Sequence, residues 1–436
     1  YTSGDVSTFT QAVGISDAVA ICACYAHSAI IRADGTVWAT GTNSHGGLGD
    51  GSTTNRSTFT KMVGITGAVA ISAGQFHTAV VKADGTVWVS GRNEYGQLGI
   101  GTNVINSKVA VQMVGVSGAV AVECGATWTS LLKSDGTVWS AGDNGSYQQG
   151  DGTNVNRSLA VQMIGATNVA AIAPGHTGGH NVLLRADGSL MAVGLNDNYQ
   201  AGVVDTTYRA TPVQTQALSA SAVKCSFGST AVLRSDGTLW TGGFNGYHDL
   251  GDGTTTNRAI PKQVLANVSA VAYGKDHGIA LRTDGNVWAW GRNDGGQLGD
   301  GTTTHRAAPV QSNISNAVAV AAGGYHTVVV KGDGAAWAVG TNDLGQLGDG
   351  TTANSTAYVQ VANAGIVNSV SCGERFTCVL RSDGTVWGVG QNTSGQLGDG
   401  TVTTAGAFVR MANVSNAVAL ACGGKRNAVM DRPPLR

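Results

Sequence analysis

The sequence predicts an all-β fold, a closed β-propeller of four-stranded antiparallel blades, and three observations carry this prediction. A unit of about 50 residues recurs along the 436-residue chain. Each unit holds four short apolar or alternating runs, which is typical of strands. Turn residues rich in Gly, Asn and Asp separate these runs. Four-stranded units at this period are typical of propeller blades, in which neighbouring sheets cover each other's faces.

An Asp-Gly pair marks each unit and sets the repeat length. The intervals between successive aspartates are 50, 51, 52, 49, 48, 49 and 50 residues. These aspartates are Asp34, Asp84, Asp135, Asp187, Asp236, Asp284, Asp333 and Asp383. In a two-residue hairpin loop, Asp-Gly supplies the positive φ of a type I′ turn. In the second unit, strands are expected at 68–73, 77–83, 86–91 and 109–114, and no segment has the sustained 3.6 period of a helix.

A tryptophan recurs at one position of the third strand in almost every unit. The series is Trp38, Trp88, Trp139, Trp240, Trp288, Trp337 and Trp387. One large ring per blade at an identical position predicts packing between neighbouring blades.

The two ends of the chain predict the number of blades. Aligned on the repeat, the C-terminal tail stops at Arg436, one position before the place where the head begins at Tyr1. The first loop is 13 residues shorter than the equivalent loop of the next unit. When these 13 residues are added to the chain length, the total corresponds to nine units. We therefore expect nine blades in a single domain, 1–436. The ninth blade would combine both termini and remove an exposed sheet edge. Eight blades with frayed ends are the alternative.

Composition narrows the class of function. Charged residues make up 12% of the chain and the net charge is −1, whereas an average domain has about 25% charged residues. This balance argues against nucleic-acid binding, and no apolar run reaches the ~18 residues of a membrane span. Because the chain begins at Tyr1, we expect a processed product.

The seven cysteines follow the repeat. Four of them replace the small residue held by Ala73 and Ala322 in other units: Cys124, Cys225, Cys372 and Cys422. We interpret them as small buried hydrophobic residues. The spacing does not favour a zinc site.

Three motifs resemble the regulator of chromosome condensation (RCC1) repeat family across the whole chain. They are Gly-x-x-His-[Ser/Thr] at 74–78 and 323–327, Asp-Gly-x-x-Trp-x-x-Gly, and Asn-x-x-Gly-Gln-Leu-Gly-Asp-Gly at 293–301. In the copy at 274–278, Gly278 departs from the first motif. The resemblance implies a propeller fold and a protein-binding habit.

Members of this family differ in function. They include a seven-bladed guanine-nucleotide exchange factor that binds chromatin, a plant ultraviolet receptor with clustered tryptophans, and secreted bacterial proteins. This chain has neither a basic tail nor the receptor's Gly-Trp-Arg-His runs. Its low charge is most similar to the secreted bacterial members, so we expect an extracellular or cell-surface location.

Repeated polar residues are interpreted as structural. One histidine per blade begins the second strand, at His27, His77, His180, His277 and His326. We expect each imidazole to bond to backbone of its own or the next blade, because single histidines on separate blades lie too far apart to share a metal ion. Aspartates of the Gly-Asp-Gly loops are expected to form turns: Asp50, Asp252, Asp300, Asp349 and Asp399. Arginines six residues later, such as Arg56 and Arg306, are expected to form ion pairs. No set of catalytic residues stands apart from the repeat, so we expect neither an enzyme nor a cofactor.

The repeat breaks in three consecutive units. In the long loop, one position holds glycine at Gly46, Gly96, Gly296, Gly345 and Gly395, but Tyr147, Tyr199 and His248 replace it elsewhere. Beside these, Trp128 replaces the repeat histidine, two residues are inserted within 176–179, and Tyr247 adds a ring. Strand order places the long loop and the loop after the first strand on one face. The candidate binding face is Trp128, Tyr147, His176, Tyr199, Tyr247 and His248. The alternative is sequence drift, with these rings filling local gaps.

These observations predict a non-enzymatic extracellular scaffold that binds a protein or glycan through this face. Two alternatives remain open. One is a structural protein whose copies self-associate into a layer or filament, and the other is an exchange-factor-like regulator by family resemblance.

Overall fold

A computed structural model describes residues 18–23, 27–102, 104–175, 179–215, 219–225, 229–393, 397, 399, 401, 403–411, 417–422 and 427–431. The chain divides into two compact units. We call Ala18–Arg234 with Arg258–Pro261 the N-terminal unit. We call Ser235–Asn257 with Lys262–Arg436 the C-terminal unit.

The described residues form 34 strands, which are numbered in chain order. The first to fourth blades contain β1 (Ala18–Ala23), β2 (His27–Arg32), β3 (Val37–Gly41), β4 (Arg56–Lys61); β5 (Ala68–Ala73), β6 (His77–Lys82), β7 (Val87–Arg92), β8 (Asn106–Gln112); β9 (Ala119–Cys124), β10 (Trp128–Lys133), β11 (Val138–Gly142), β12 (Arg157–Gln162); and β13 (Val169–Pro174), β14 (His180–Arg185), β15 (Leu190–Gly194), β16 (Arg209–Gln214). The fifth to eighth blades contain β17 (Ala220–Cys225), β18 (Ser229–Arg234), β19 (Leu239–Gly243), β20 (Arg258–Leu265); β21 (Val268–Tyr273), β22 (His277–Arg282), β23 (Val287–Gly291), β24 (Arg306–Gln311); β25 (Ala317–Ala322), β26 (His326–Lys331), β27 (Ala336–Gly340), β28 (Ser355–Gln360); and β29 (Val367–Cys372), β30 (Phe376–Arg381), β31 (Val386–Gly390), β32 (Ala405–Arg410). Two further strands are β33 (Ala417–Cys422) and β34 (Asn427–Asp431).

The prediction of nine blades is wrong. The described strands form eight four-stranded sheets, each with its four strands in sequence order, and one two-stranded sheet of β33 and β34. Chain length alone overestimated the number of complete blades, because β33 and β34 are the only described strands beyond the eighth blade and form a sheet of two strands. Residues 1–17, which we expected to complete a ninth blade, lie outside the described residues.

The hairpin turn differs in type from the prediction. Gly85 has a φ of +75°, as the Asp-Gly pattern requires, but Asp84 is not in the left-handed region. The amide of Gly85 donates to the carbonyl of Lys82 over 2.8 Å, and the amide of Lys82 donates to the carbonyl of Thr86 over 2.9 Å. The connection is therefore a three-residue loop with a glycine bulge and not a two-residue type I′ turn. Asp84 accepts hydrogen bonds from the amide and hydroxyl of Thr86.

Small aliphatic side chains fill the space between neighbouring blades. One cluster joins Val89 and Leu98 of the second blade to Val122 and Leu131 of the third, and the half-buried Trp139 packs against it. Equivalent clusters include Trp88, Trp337 and Trp387, so the predicted packing of these rings between blades is confirmed. Cys124 is buried in the same cluster as Val122, as predicted for its position.

Each long loop also reaches the outer strand of the next blade. The amide of Gly51 donates to the carbonyl of Lys108 in β8 over 2.9 Å, and the amide of Gly101 donates to Ser158 in β12 over 2.7 Å. Such contacts cover backbone groups that would otherwise form an open sheet edge. Within the loop, Asp50 accepts from the amide of Ser52 over 3.0 Å and pairs with Arg56 over 2.5 Å, which confirms both the turn-forming and the ion-pair predictions there.

Histidine side chains link neighbouring blades through threonine hydroxyls, a partner that the sequence had not predicted. The Nε2 atom of His77 lies 3.0 Å from the hydroxyl of Thr129, and His326 lies 2.8 Å from Thr377. Burial lowers the pKa of His77 to about 3 and that of His326 to about 4. These imidazoles are therefore neutral, and each one connects its own blade to a buried threonine in the next.

Candidate binding face

Two sets of loops meet on one face, as predicted. The amide of Arg92, where the long loop of the second blade begins, donates to the carbonyl of Phe76 in the loop after β5 over 3.0 Å. In the sixth blade, Arg292 and Asp276 make the same connection as an ion pair of 3.1 Å. Side chains of both loops can therefore contribute to one surface.

The long loop turns at a residue with left-handed backbone. Gly96 has a φ of +85°, and its amide donates to the carbonyl of Asn93 over 3.0 Å. A Cβ atom there would lie 2.6 Å from the Cα of Ser158. Gly46, Gly296 and Gly345 are equally close to a neighbouring backbone, so glycine is required at this position in those blades. Gly395 lies outside the described residues.

Three consecutive blades keep this turn with a large side chain. Tyr147, Tyr199 and His248 have φ values of +63°, +62° and +66°. Their amides still donate to Asn144, Asn196 and Asn245 over 2.9–3.1 Å. A non-glycine residue in this conformation costs about 1–2 kcal/mol. The backbone of the repeat is thus conserved at an energetic cost, and the three side chains are half-buried.

Tyr147 and Tyr199 occupy equivalent loops of the third and fourth blades. The ring of Tyr147 lies edge-on to Tyr208, with centroids 6.4 Å apart and an interplanar angle of 82°. Tyr208 is exposed. The sequence interpretation had missed Tyr208, which replaces the asparagine found at this position in other blades, such as Asn156 and Asn257.

Tyr247 lies over an arginine in the C-terminal unit. Its ring is 45% exposed, and the guanidinium of Arg292 lies 5.4 Å from its centroid and 5.2 Å from that of Tyr325. Arg292 also pairs with Asp276 over 3.1 Å and with Asp294 over 2.5 Å. Such a cation between two aromatic rings is held in place from several sides. Arg292 and Tyr325 were not predicted as site residues.

His248 follows Tyr247 in the same loop. Its Nδ1 atom lies 3.2 Å from the carbonyl of Thr254, and its ring lies 6.4 Å from that of His305. The exposed Tyr247 and the half-buried His248 therefore lie side by side at one edge of the loop in the fifth blade.

A buried carboxyl group lies beneath this edge. Asp249 is 6% exposed, and its Oδ2 accepts from the amide of Tyr247 over 3.1 Å. Other blades place a neutral glutamine here: Gln297 accepts the corresponding amide of Gly295 over 3.0 Å. Burial raises the pKa of Asp249 to about 6, and the nearby carboxylate of Asp276 contributes in the same direction. In the sequence, this buried carboxyl group is indicated by an aspartate at a position where other blades have glutamine.

An additional tryptophan packs beside Asp249. Trp290 is fully buried, and its Nε1 donates to the carbonyl of Asp249 over 2.8 Å. A Cβ atom on Gly278 would lie 2.3 Å from the Trp290 ring, so the departure of Gly278 from the family motif makes room for this ring. Tyr273 lies edge-on to Trp290 at 6.0 Å, and its buried hydroxyl has no hydrogen-bond partner.

One of the predicted site residues, Trp128, is not at this surface. Trp128 is 2% exposed, and a Cβ atom on Gly125 would lie 2.2 Å from its ring, just as His77 packs against Gly74. Trp128 thus takes the interior place of the repeat histidine and cannot touch a partner in this conformation. His176 lies outside the described residues.

The described part of the chain contains no group of three or more His, Cys, Asp or Glu side chains placed to hold a metal ion. Among the same residues, no helix is long and apolar enough to cross a membrane.

Comparison with known proteins agrees with these features. The model of the RCC1-like domain matches residues 156–433, and models of the regulator of chromosome condensation (RCC1) repeat match 34–81, 84–132 and 68–97. A comparison with curated protein sequences gives no match.

Solved structures show the same fold at low sequence identity. Human WBSCR16 is 19% identical, with a TM-score of 0.57 over 91% of this chain and 99% of that one. Prp20p from Saccharomyces cerevisiae is 17% identical, with a TM-score of 0.58 over 93% of each chain. Yeast RCC1 (Prp20) in the structure with Kap60 is 16% identical, with a TM-score of 0.56 over 99% of this chain and 94% of that one. The eight four-stranded blades, the repeat motifs and the match over 156–433 lead to one conclusion: this chain belongs to the RCC1 repeat family.

Proposed function

We propose that this protein is a non-enzymatic scaffold, extracellular or on the cell surface, that binds a protein or glycan through its loop face. One observation carries the proposal: three consecutive blades retain a left-handed turn but place Tyr147, Tyr199 and His248 where other blades have glycine. Strained backbone that persists against the local rule is concentrated at functional sites.

Local packing accounts poorly for these side chains. Glycine satisfies the same turn in four other described blades, so a tyrosine is not needed to close the loop. Tyr147 and Tyr199 stay half-buried, and Tyr247 beside His248 is exposed. Tyrosine supplies a large contact area at low cost in side-chain entropy, which suits recognition.

A protein is the favoured partner. The structural neighbour Prp20p has been studied for binding to Gsp1p and histones, and yeast RCC1 (Prp20) has been crystallised with Kap60. The low charge and neutral balance of this chain favour a partner recognised through hydrogen bonds and aromatic contacts over a polyanion.

The test is to capture the partner from the native source by crosslinking and then to measure its affinity for three variants: Tyr147→Gly, Tyr199→Gly and His248→Gly. Each change installs the repeat's own residue, so the free energy of unfolding should change by no more than about 1 kcal/mol. We expect at least one variant to weaken binding about tenfold or more. Unchanged affinity in all three variants would refute the proposed face.

A matched control is Tyr95→Ser. Tyr95 is a half-buried tyrosine in the long loop of the second blade, and serine occupies the same position at Ser146. Binding should be retained in this variant. Location is tested separately, by whether antibody reaches the protein on intact cells of the native source.

The family also supports an exchange-factor-like regulator as a second candidate function. Accelerated nucleotide release from a small GTPase would favour it over the scaffold, and release at the intrinsic rate would eliminate it.

A further inference from the structure

The outer surface of the second and third blades carries an unusual number of exposed aliphatic side chains. Three repeat positions are apolar in both blades, and an extra isoleucine follows the first of them in the second blade. We call this set the apolar wall: Val104, Ile105, Val109 and Val114 of the second blade, and Val155, Leu159 and Ile164 of the third. Each is between 38% and 59% exposed. All seven belong to the N-terminal unit.

Other blades show that the repeat does not require these residues. In the sixth blade the same three positions hold Thr304, Ala308 and Asn313. In the seventh blade they hold Ala353, Ala357 and Ala362. Exposed large apolar side chains are therefore most numerous on this pair of neighbouring blades, and single ones occur at equivalent positions as Val63 and Ile260. The sixth and seventh blades show that small or polar residues support the same strands.

The long loop of the second blade contacts the apolar wall of the third blade. Ile100, at the end of the second blade's long loop, forms an antiparallel bridge with Leu159 in β12. A Cβ atom on Gly101 would lie 2.9 Å from the Leu159 side chain. The amide of Gly101 already donates to Ser158, so that edge of β12 is occupied. A partner must therefore lie flat on the side chains, because it cannot add a strand there.

Charge on the apolar wall is nearly balanced. Lys108 is the only ionisable side chain in 100–116. In 150–166 the two charged residues, Asp151 and Arg157, pair with each other. An anionic membrane surface or a nucleic acid would favour several unpaired cations. Two copies of an apolar, nearly uncharged surface can meet without a cost from like charges.

The size of the apolar wall also fits self-association. Seven half-exposed aliphatic side chains offer apolar surface on the order of 400 Å², comparable with the largest patch on a typical monomer. A stable interface buries about 800 Å² on each partner, with a polar rim around an apolar centre. The apolar wall supplies such a centre. A two-fold contact would bury it twice, once on each copy.

We propose that two copies of this protein form a homodimer through the apolar wall, related by a two-fold axis. Val155 shares the long loop of the third blade with Tyr147, but neither Tyr147 nor Tyr199 belongs to the apolar wall. The variants Tyr147→Gly and Tyr199→Gly should therefore leave the dimer intact, and failure of one proposal does not entail failure of the other.

The test is analytical ultracentrifugation of the full chain over a range of concentrations. We expect a species of twice the 44.0 kDa chain mass. A triple variant, Val104→Thr, Leu159→Ala and Ile164→Asn, installs residues that the repeat already accepts. Six altered side chains in the symmetric interface should weaken dimerisation at least about 100-fold. Far-ultraviolet circular dichroism checks that the variant is folded.

The matched control is Ile366→Thr, which removes an isoleucine of similar exposure (60%) in the C-terminal unit. This variant should dimerise like the unaltered protein. A wild-type chain that is monomeric at every concentration would overturn the proposal, as would a triple variant that dimerises normally. A monomer that floats with neutral phosphatidylcholine vesicles would overturn it in favour of a lipid surface.

Discussion

Replacing Asp249 with glutamine should stabilise the protein at neutral pH and leave its stability near pH 4 almost unchanged. Asp249 lies in the interior beneath Tyr247, where other blades have a neutral glutamine that accepts the same kind of amide hydrogen bond. The change therefore keeps the acceptor and removes only the ionisable group. The measurement isolates the cost of one buried carboxylate.

The magnitude follows from the pKa. Burial and the Asp276 carboxylate raise the pKa of Asp249 to about 6, from a usual value of 3.8. The folded state therefore disfavours the ionised form. Below about pH 4 the group is protonated in both the folded and unfolded states, so it costs nothing. Stability is lost as the pH rises from about 4 to 6, and the loss is complete above that. At about 1.4 kcal/mol per pH unit, the total is about 3 kcal/mol.

The assay is urea-induced unfolding of the wild type and Asp249→Gln at pH 4 and pH 7.5. Buried histidines titrate in both proteins, so their contribution cancels in the difference between variants. The reciprocal change, Gln297→Asp, places a carboxyl at the equivalent buried position of the sixth blade and should destabilise the protein mainly above pH 6. If Asp249→Gln has the same effect at both pH values, the carboxylate is not the cause and the reasoning fails.

Three further changes test the packing rules. Gly296→Tyr should lower the free energy of unfolding by about 3 kcal/mol or more, measured by thermal or urea unfolding. The new Cβ would lie 2.7 Å from the Cα of Thr356 in a left-handed turn. A fully stable variant would contradict the steric argument. His326→Phe should lose about 3 kcal/mol less stability than the wild type on acidification from pH 8 to pH 4. Burial lowers the pKa of the His326 imidazole to about 4, so below about pH 6.5 the unfolded state is protonated first and unfolding is favoured. Equal acid sensitivity of the two proteins would contradict this explanation. Gly278→Thr and Trp290→Val should each destabilise the protein, because a Cβ at 278 would lie 2.3 Å from the Trp290 ring. The double variant should relieve this clash, so a double-mutant cycle should show about 2 kcal/mol of favourable coupling. Additive effects of the two changes would contradict the steric explanation.

Local strand structure was predictable from the sequence because each strand's pattern is contained in the strand itself. In the second blade, β5 matches its predicted bounds, β6 ends one residue earlier than predicted, and β7 is shifted by one residue at both ends. β8 begins at Asn106, three residues before the prediction, because Asn106 pairs with Arg92 across the sheet. Its exposed valines obscure the alternation of apolar and polar residues.

The site was less predictable because its chemistry depends on neighbours that are distant in the sequence. The replacement of glutamine by Asp249 is visible in the sequence, but its raised pKa depends on burial and on Asp276 in another loop. Trp128 appeared to be an exposed aromatic residue because the role of the repeat histidine was unknown. Once His77 is seen packed on Gly74, the Gly at 125 predicts an interior ring for Trp128 as well.

The histidine–threonine bonds have a consequence for exchanging blades between proteins. The hydroxyl of Thr129 faces His77 and also donates to the carbonyl of Gln97 over 2.9 Å. In the fourth blade, Asn181 keeps the second bond, to Gln148 over 3.0 Å, while the third blade offers Trp128 in place of a histidine. These junctions are thus matched by pairs of residues, one from either side. A transplanted blade must bring the correct partner for both neighbours, so the portable unit for engineering or recombination is the junction and not the blade.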